Sequence, residues 1–251
     1  MKSCFLKFRL LLLIIPTAGF SQIDTVDILN KRANPQKVSP VKRTYIVYLQ
    51  DSVDGPKYNL EIWDREFHFL SEEQQYQLRW TRSSAQKGKY SSYLITTTKD
   101  LKPKYESIEK HENVDVKETI KNIRFRYQND SLISSNSTSG GETSVYLNGL
   151  TNAFNWEMDL EILSALNWQA NKKVVIAFYH PGSKTPPAYY HYTLVGDENL
   201  SFAGCSIDCW IIEHRLNENQ VTRFWLSKAD GNILLVKDEF YGMIRFKRLV
   251  I

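Results

Sequence analysis

The sequence of 251 residues has few of the features that carry recognisable chemistry. It has only three cysteines and three methionines. It contains neither G-x-S-x-G nor H-E-x-x-H, and it has no phosphate loop and no paired-glycine nucleotide fingerprint. These absences remove the common hydrolase, zinc-protease and nucleotide-binding signatures. We therefore assign no catalytic residue, no metal ligand and no cofactor from the sequence.

A long apolar run is also missing. Lys2, Lys7 and Arg9 precede the apolar run Leu10 to Ile15, and small residues follow it. This is the pattern of a secretory signal peptide, and the run is too short for a spanning helix of about 20 apolar residues. The F-S-Q ending resembles those of exported proteins from Bacteroidota-type bacteria, so we expect cleavage after Gln22.

A large excess of one charge is absent as well. The chain has 32 Lys and Arg against 28 Asp and Glu, and three of the basic residues lie in the signal peptide, which leaves 29. The remaining chain is nearly neutral, without the clustered basic face that nucleic-acid binding requires. No later segment approaches a transmembrane span, so we expect an exported protein in the periplasm or outside the cell.

Period-two alternation dominates the chain from Val41 onward. It is clearest in K-N-I-R-F-R-Y-Q, Lys121 to Gln128, where apolar and polar residues alternate. At least ten such strands with short polar connections predict a mainly β fold with an antiparallel sheet in one domain, residues 41–251. Residues 23–40 are predicted to be a loosely ordered leader, and the low-complexity stretch 131–144 a long mobile loop or a linker.

One amphipathic helix is predicted over residues 155–168. Asn155 can cap it, and Glu157 and Asp159 suit the positive end of the helix dipole. Trp156, Leu160 and Leu163 form an apolar stripe on one face. We expect this helix to cover the apolar face of the sheet.

The pair Cys205 and Cys209 leaves two alternatives open. A strand of this length spans about 13 Å, and a disulfide needs Cα atoms within about 7 Å. A bond therefore requires the chain to turn back between them, and export favours oxidation; otherwise both are free thiols, with Cys209 a small core residue. The spacing does not fit a redox C-x-x-C, and a zinc site would need two more ligands.

The aromatic supply is larger than a core of this size requires. Aromatic side chains often line ligand sites, although ordinary packing in a β protein is the alternative. The residues that we expect to line a binding groove are Trp156, Trp168, Tyr190, Tyr192, Trp210 and Trp225.

The second half of the chain carries a recognisable order of motifs. W-x-M-D-L at 156–160 is followed by V-G-D-E at 195–198, D-C-W-I-I at 208–212 and R-F-W-L-S-K at 223–228, and T-T-T-K-D-L-K-P-K-Y at 96–105 fits in the first half. This order resembles an uncharacterised family of exported bacterial proteins, a domain of unknown function. That family in turn resembles the lipoprotein-carrier proteins of the LolA type. The resemblance implies a large curved sheet, a half-barrel, with the helix on its concave face.

Three functions are compatible with these features. The first is a non-enzymatic protein of the cell envelope that binds a lipid or another apolar ligand in the half-barrel groove. The second is a protein-interaction module of an envelope or surface complex, and the third is an enzyme with an unrecognised site. The partners expected are therefore an apolar small molecule or an envelope protein, and not a nucleic acid.

Overall fold

The computed structural model describes residues 23–26, 33–38, 40–84, 88–114, 117–136, 141–168 and 173–250. The predicted signal peptide, residues 1–22, lies outside these ranges, and so do residues 27–32 and 39 of the predicted leader. None of the helices in the described ranges has both the length and the hydropathy to cross a membrane.

Most of the described chain is β-strand, and the strands belong to one sheet. They are β1 (Ile23–Val26), β2 (Val41–Gln50), β3 (Tyr58–Leu70), β4 (Gln75–Ser84), β5 (Lys89–Thr98), β6 (Pro103–Val114), β7 (Lys117–Gln128), β8 (Ser131–Asn136), β9 (Glu142–Tyr146), β10 (Phe154–Asn155), β11 (Lys173–Tyr179), β12 (Ala188–Phe202), β13 (Cys205–Asn217), β14 (Gln220–Ser227), β15 (Ile233–Phe240) and β16 (Met243–Leu249).

The strand order explains how two sequence halves form one sheet. It runs from β1 through β11 to β16 and then from β2 to β9. Neighbours on this path pair antiparallel except at β11, which pairs in parallel with β1 and with the short strand β10. The pairing of β16 with β2 joins the last strand of the chain to the first long one. A single continuous sheet results.

The sheet curls so strongly that strands near its two ends meet. The rings of Tyr127 on β7 and Tyr179 on β11 have centroids 6.5 Å apart. Gly182, just after β11, lies so close to Phe125 that a Cβ atom there would be 3.3 Å from the ring. The predicted fold class, mainly β with a large curved antiparallel sheet and one helix on its concave face, is confirmed.

The helix is shorter than the predicted range 155–168. A 3₁₀ turn at Trp156–Met158 comes first, and Asn155 caps it by accepting a hydrogen bond from the Glu157 N–H at 2.8 Å. Helix α1 then runs over Asp159–Ala165 and ends because Leu166 is extended. Apolar residues continue beyond Ala165, but they pack as extended chain rather than as helix. A helix of seven residues depends on packing for its stability.

Helix α1 fills the concave, or inner, face of the sheet. Every residue from Leu160 to Ala165 is buried, and the apolar ones join a core cluster that includes side chains from most of the long strands. A buried ion pair fixes the helix to the sheet, because Arg65 of β3 donates to Glu161 of α1 with N–O distances of 3.0 and 2.5 Å. Breaking such a pair would leave a buried charge without compensation.

The loop predicted over residues 131–144 is wrong in large part. Strands β8 and β9 occupy most of it, paired from Ser131 with Tyr146 to Ser135 with Glu142. Serine and threonine do not prevent pairing once β7 offers an edge, and the Ser134 and Thr143 hydroxyls form a cross-strand hydrogen bond of 2.7 Å. Residues 137–140 lie outside the described ranges.

The leader predicted over residues 23–40 also needs correction. The backbone of β1 pairs with β11, which otherwise presents unpaired backbone groups along that part of its edge. Val38 is buried in the main core cluster, and the Asn34 N–H donates to the carbonyl of Ala165 at the end of α1, at 3.0 Å. The described parts of this segment are therefore packed against the domain.

The possible disulfide between Cys205 and Cys209 is not formed. The chain reverses at Ala203 and Gly204, both with positive φ, so the turn lies before Cys205 rather than between the cysteines. Both thiols are on the extended strand β13 and are free. Cys209 is fully buried, as predicted for a small core residue.

Candidate functional site

Three of the predicted groove aromatics meet at one end of the inner face. Trp156 comes from the 3₁₀ turn before α1, and Tyr190 comes from β12, with ring centroids 4.6 Å apart. Tyr192 lies two residues further along β12 on the same face and is almost fully buried. Tyr189 points to the opposite face and is 61% exposed. Because side chains alternate along β12, Tyr190 and Tyr192 both point to the inner face and Tyr189 points to the outer one.

Two histidines pack against these aromatic rings. His180, just after β11, lies against Trp156 with ring centroids 4.4 Å apart and contacts the Tyr190 hydroxyl through Nε2 at 2.8 Å. His214 of β13 has its ring centroid 5.4 Å from Tyr190 and 5.2 Å from Tyr192. We did not predict either histidine as a site residue, but His214 follows Ile212 by two residues on the inner face, so the alternation of β13 could have indicated it.

These rings border a cleft of about 310 Å³. One side is aromatic or apolar and the other carries polar side chains from β14, β15 and β16. The lining residues are Trp156, His180, Tyr190, His214, Leu216, Gln220, Val221, Thr222, Asp238, Glu239, Phe240 and Arg245. We call this site the aromatic cleft.

The two histidines of the aromatic cleft, His180 and His214, are uncharged at neutral pH. Burial lowers the pKa of His180, and the charge of Asp159 opposes this only in part. Burial also lowers the pKa of His214. On the polar side, burial would raise the pKa of Asp238, but Lys247 and Arg245 outweigh it and lower that pKa. The cleft therefore joins neutral rings to a carboxylate that is already neutralised by its neighbours.

Two other predicted groove residues border a second cleft. Trp168 and Trp210 line a space of about 460 Å³ together with the turn between β14 and β15. Trp168 is buried and donates its Nε1–H to the carbonyl of Leu163 at 3.0 Å. The Lys228 ammonium lies 4.2 Å from the centroid of the Trp210 ring and covers it. Both tryptophans thus already have intramolecular partners.

Trp225 lies on the other, outer face of the sheet. Its neighbours Phe224 and Leu226 belong to the main core, whereas Trp225 belongs to a second cluster with Tyr48, Cys209 and Phe246. Its Nε1–H donates to Glu198 at 2.9 Å. We call this second cluster the outer cluster. The six predicted aromatics therefore occupy three places and do not share one groove.

A buried polar cluster lies deeper in the core, where Glu106 of β6 meets Asn155. The Asn155 Nδ2–H donates to Glu106 Oε2 at 2.8 Å, while Oε1 has no partner among the described residues. Burial, with repulsion from Glu157, raises the pKa of Glu106 to about 8, against the effect of hydrogen bonds from Asn155 and Tyr127. Glu106 is fully buried. The cluster thus joins β6 to the segment that leads into α1 rather than facing solvent.

Metal binding has no evident place in the described part of the chain. No group of three or more His, Cys, Asp or Glu side chains there converges as a metal site would require. His180 and His214 both face Tyr190, but they do not belong to a converging group of three such side chains in the described residues.

The fold and the aromatic cleft define a β-barrel-like protein. Its site is an open cleft lined by aromatic side chains at one end of the inner face of the sheet. Residues 57–246 match DUF3108, a family described as proteins of unknown function. The chain belongs to this family, which confirms the predicted membership of a family of unknown function. No curated protein matches the sequence.

A solved structure supports the architecture. It is the crystal structure of a β-barrel-like protein of the domain of unknown function DUF1849 from Brucella abortus, with a TM-score of 0.51 and 10% sequence identity. The match covers 83% of this chain and 94% of that chain. At this identity the likeness concerns the fold alone, and the resemblance to lipoprotein carriers stays a prediction.

Proposed function

We propose that the protein is a non-enzymatic binding protein of the cell envelope that holds a small apolar or amphipathic ligand in the aromatic cleft. The observation that carries this proposal is the meeting of Trp156, Tyr190 and His214 around a space of about 310 Å³. Ligand sites are concave, mostly apolar and furnished with a few polar groups. The aromatic cleft has this composition.

The size of the cleft limits the ligand. Pockets for small molecules have volumes of roughly 300 to 1,000 Å³, so a space of about 310 Å³ is at the lower end. The interior between sheet and helix is occupied by α1 and the main core cluster. We therefore infer a ligand with one short chain or one ring system, or a longer lipid that inserts only its end.

The absence of catalysis is part of the proposal. Asp238 is bound to Arg245 at 2.7 Å, and Glu239 is held by an ion pair with Lys237. A general acid or base must reach its substrate with a suitable pKa. Carboxylates that are already paired with cations are better suited to shaping a site than to proton transfer.

Export is proposed from the N-terminal sequence alone. The charged start, the apolar run and the small residues before Ile23 support a cleaved signal peptide. Cell fractionation, with N-terminal sequencing of the product, tests this. A product in the cytoplasm that retains Met1 or Lys2 would refute it.

The binding proposal is tested with N-phenyl-1-naphthylamine, an uncharged probe that emits strongly in apolar surroundings. We expect saturable binding to the chain from Ile23 onward. Tyr190→Leu should weaken it roughly two- to tenfold, because an aromatic contact contributes about 0.5–1.5 kcal/mol beyond its buried area.

Tyr189→Leu is the matched control for this experiment. It removes the neighbouring ring on the opposite face of β12 and should bind the probe like the wild type. Circular dichroism melts of both variants establish that they are folded. Equal affinities for the two variants, or no binding to the wild type, would refute the proposal.

A further inference from the structure

The hydrogen bonding of His214 fixes which of its ring nitrogens carries the proton. Nδ1 lies 2.9 Å from the backbone carbonyl oxygen of His191. A carbonyl accepts only, so Nδ1 is the protonated nitrogen. Nε2, at the other side of the ring, has no hydrogen-bond partner among the residues that the structure describes. His214 lines the aromatic cleft.

The charge state of this ring follows from its surroundings. Burial lowers the pKa of His214, and repulsion from His191 adds to this, while the carbonyl hydrogen bond and Asp238 oppose it. Arg245 is the other charged side chain that faces the cleft, since the Glu239 carboxylate pairs with Lys237 and Arg223 on the opposite face of β15. A neutral ring with a proton on Nδ1 leaves Nε2 as an acceptor.

Two other pairs of polar groups at the cleft are already bound to each other. Arg245 donates to Asp238 at 2.7 Å, and His180 contacts the Tyr190 hydroxyl at 2.8 Å. Burying an acceptor without a partner is unfavourable. A ligand that fills the apolar half of the cleft and displaces water therefore has to supply a donor to Nε2 of His214.

We infer that His214 selects the ligand: the cleft takes an uncharged amphipathic molecule whose polar head donates a hydrogen bond, from a hydroxyl or N–H, to Nε2. The apolar body then lies against Trp156 and Tyr190. This inference rests on the proposed function and adds the class of head group.

The same geometry disfavours charged heads. A carboxylate head has no proton to donate, and it would meet the lone pair of Nε2 with Asp238 beside it, while Arg245 is already paired with Asp238. An ammonium head would lose its hydration beside an Asp238 that Arg245 and Lys247 already neutralise. A neutral donor satisfies Nε2 without this cost.

Two isomers separate the head group from size and apolar area. 1-Nonanol and methyl octyl ether have the same formula, but only the alcohol can donate a hydrogen bond. Each is titrated against N-phenyl-1-naphthylamine bound to the wild type at neutral pH. We expect the alcohol to bind roughly five- to tenfold more tightly, the difference that one hydrogen bond confers.

Variants assign this preference to one residue. His214→Phe keeps a flat ring but removes Nε2, so alcohol and ether should bind within about twofold of each other. His214→Gln offers an amide oxygen and should restore part of the preference. His68→Phe is the matched control, because His68 lies on β3 away from the cleft, and it should behave like the wild type.

Each outcome is decisive. If the wild type binds both isomers equally, or if His214→Phe keeps the preference for the alcohol, the inference is wrong although the binding function stands. If neither isomer displaces the bound probe, the inference is also overturned. If the probe itself does not bind, the proposed function fails and the inference falls with it.

Discussion

Replacing Glu106 with glutamine removes the titratable group at the centre of the buried polar cluster. Glu106 is fully buried, with Oε2 bound to Asn155 at 2.8 Å and Oε1 without a described partner. Glutamine has nearly the same shape, can accept from Asn155 through its amide oxygen, and stays neutral at every pH. The variant thus changes protonation with little change in packing.

The magnitude follows from the pKa of Glu106 in the two states. Burial raises it from 4.5 to about 8 in the folded chain. The folded state therefore keeps its proton where the unfolded chain has lost it, so this contribution to stability is complete below about pH 4.5 and is lost as the pH rises to about 8. The slope is about 1.4 kcal/mol per pH unit, and the total is roughly 4 to 5 kcal/mol.

Urea unfolding followed by tryptophan fluorescence measures this at pH 5, 6, 7, 8 and 9. The free energy of unfolding of Glu106→Gln minus that of the wild type should increase by about 1.4 kcal/mol per pH unit between pH 5 and 8 and then level off. Glu73→Gln, at an exposed turn between β3 and β4, is the control and should follow the wild type. A difference for Glu106→Gln that stays constant with pH would refute the reasoning.

Two further predictions concern the ion pair and the thiols. Arg65→Met should lower the free energy of unfolding by about 3–5 kcal/mol in urea titrations, because it leaves Glu161 buried without its cation. The double variant Arg65→Met with Glu161→Leu should recover part of this stability. An equal loss of stability in the single and the double variant would contradict the prediction. In the chain from Ile23 onward, one thiol should react with Ellman's reagent before unfolding and two after it, since Cys205 is exposed while burial shields Cys209 and raises the pKa of its thiol. Two fast thiols in the folded chain would show that the side chains of β13 are arranged differently.

Much of the sheet could be predicted from local alternation. Strand β13 is the clearest case, because Ile207, Cys209 and Ile211 belong to the outer cluster while Trp210 and Ile212 pack against the main core, as their alternation predicts. A period of two is a local signal that needs no knowledge of the partner strands.

The errors occurred where distant partners decide the structure. Residues 131–136 and 142–146 form strands because β7 provides an edge, and their serine-rich composition carries no sign of it. The helix ends at Ala165 because the chain turns into extended structure there, although apolar residues continue to Trp168. The composition and spacing of a segment are local properties, and they do not identify the strands or side chains that the segment packs against.

The candidate site was predictable only in part. The aromatic content indicated Trp156, Tyr190 and Tyr192, yet their meeting depends on the register of β11, β12 and β13 and on the place of the 3₁₀ turn. The same register puts His214 opposite Tyr192. A residue's face can be predicted from alternation, whereas its neighbours across strands follow from pairing.

The central claim is that the aromatic cleft, and not another part of the molecule, holds the ligand. The most direct measurement is nuclear Overhauser spectroscopy on the isotope-labelled protein with 1-nonanol bound. We predict contacts from the alkyl chain to the rings of Trp156 and Tyr190. Contacts to Trp225 in the outer cluster or to Trp168 beside α1, without any to Trp156, would contradict the account.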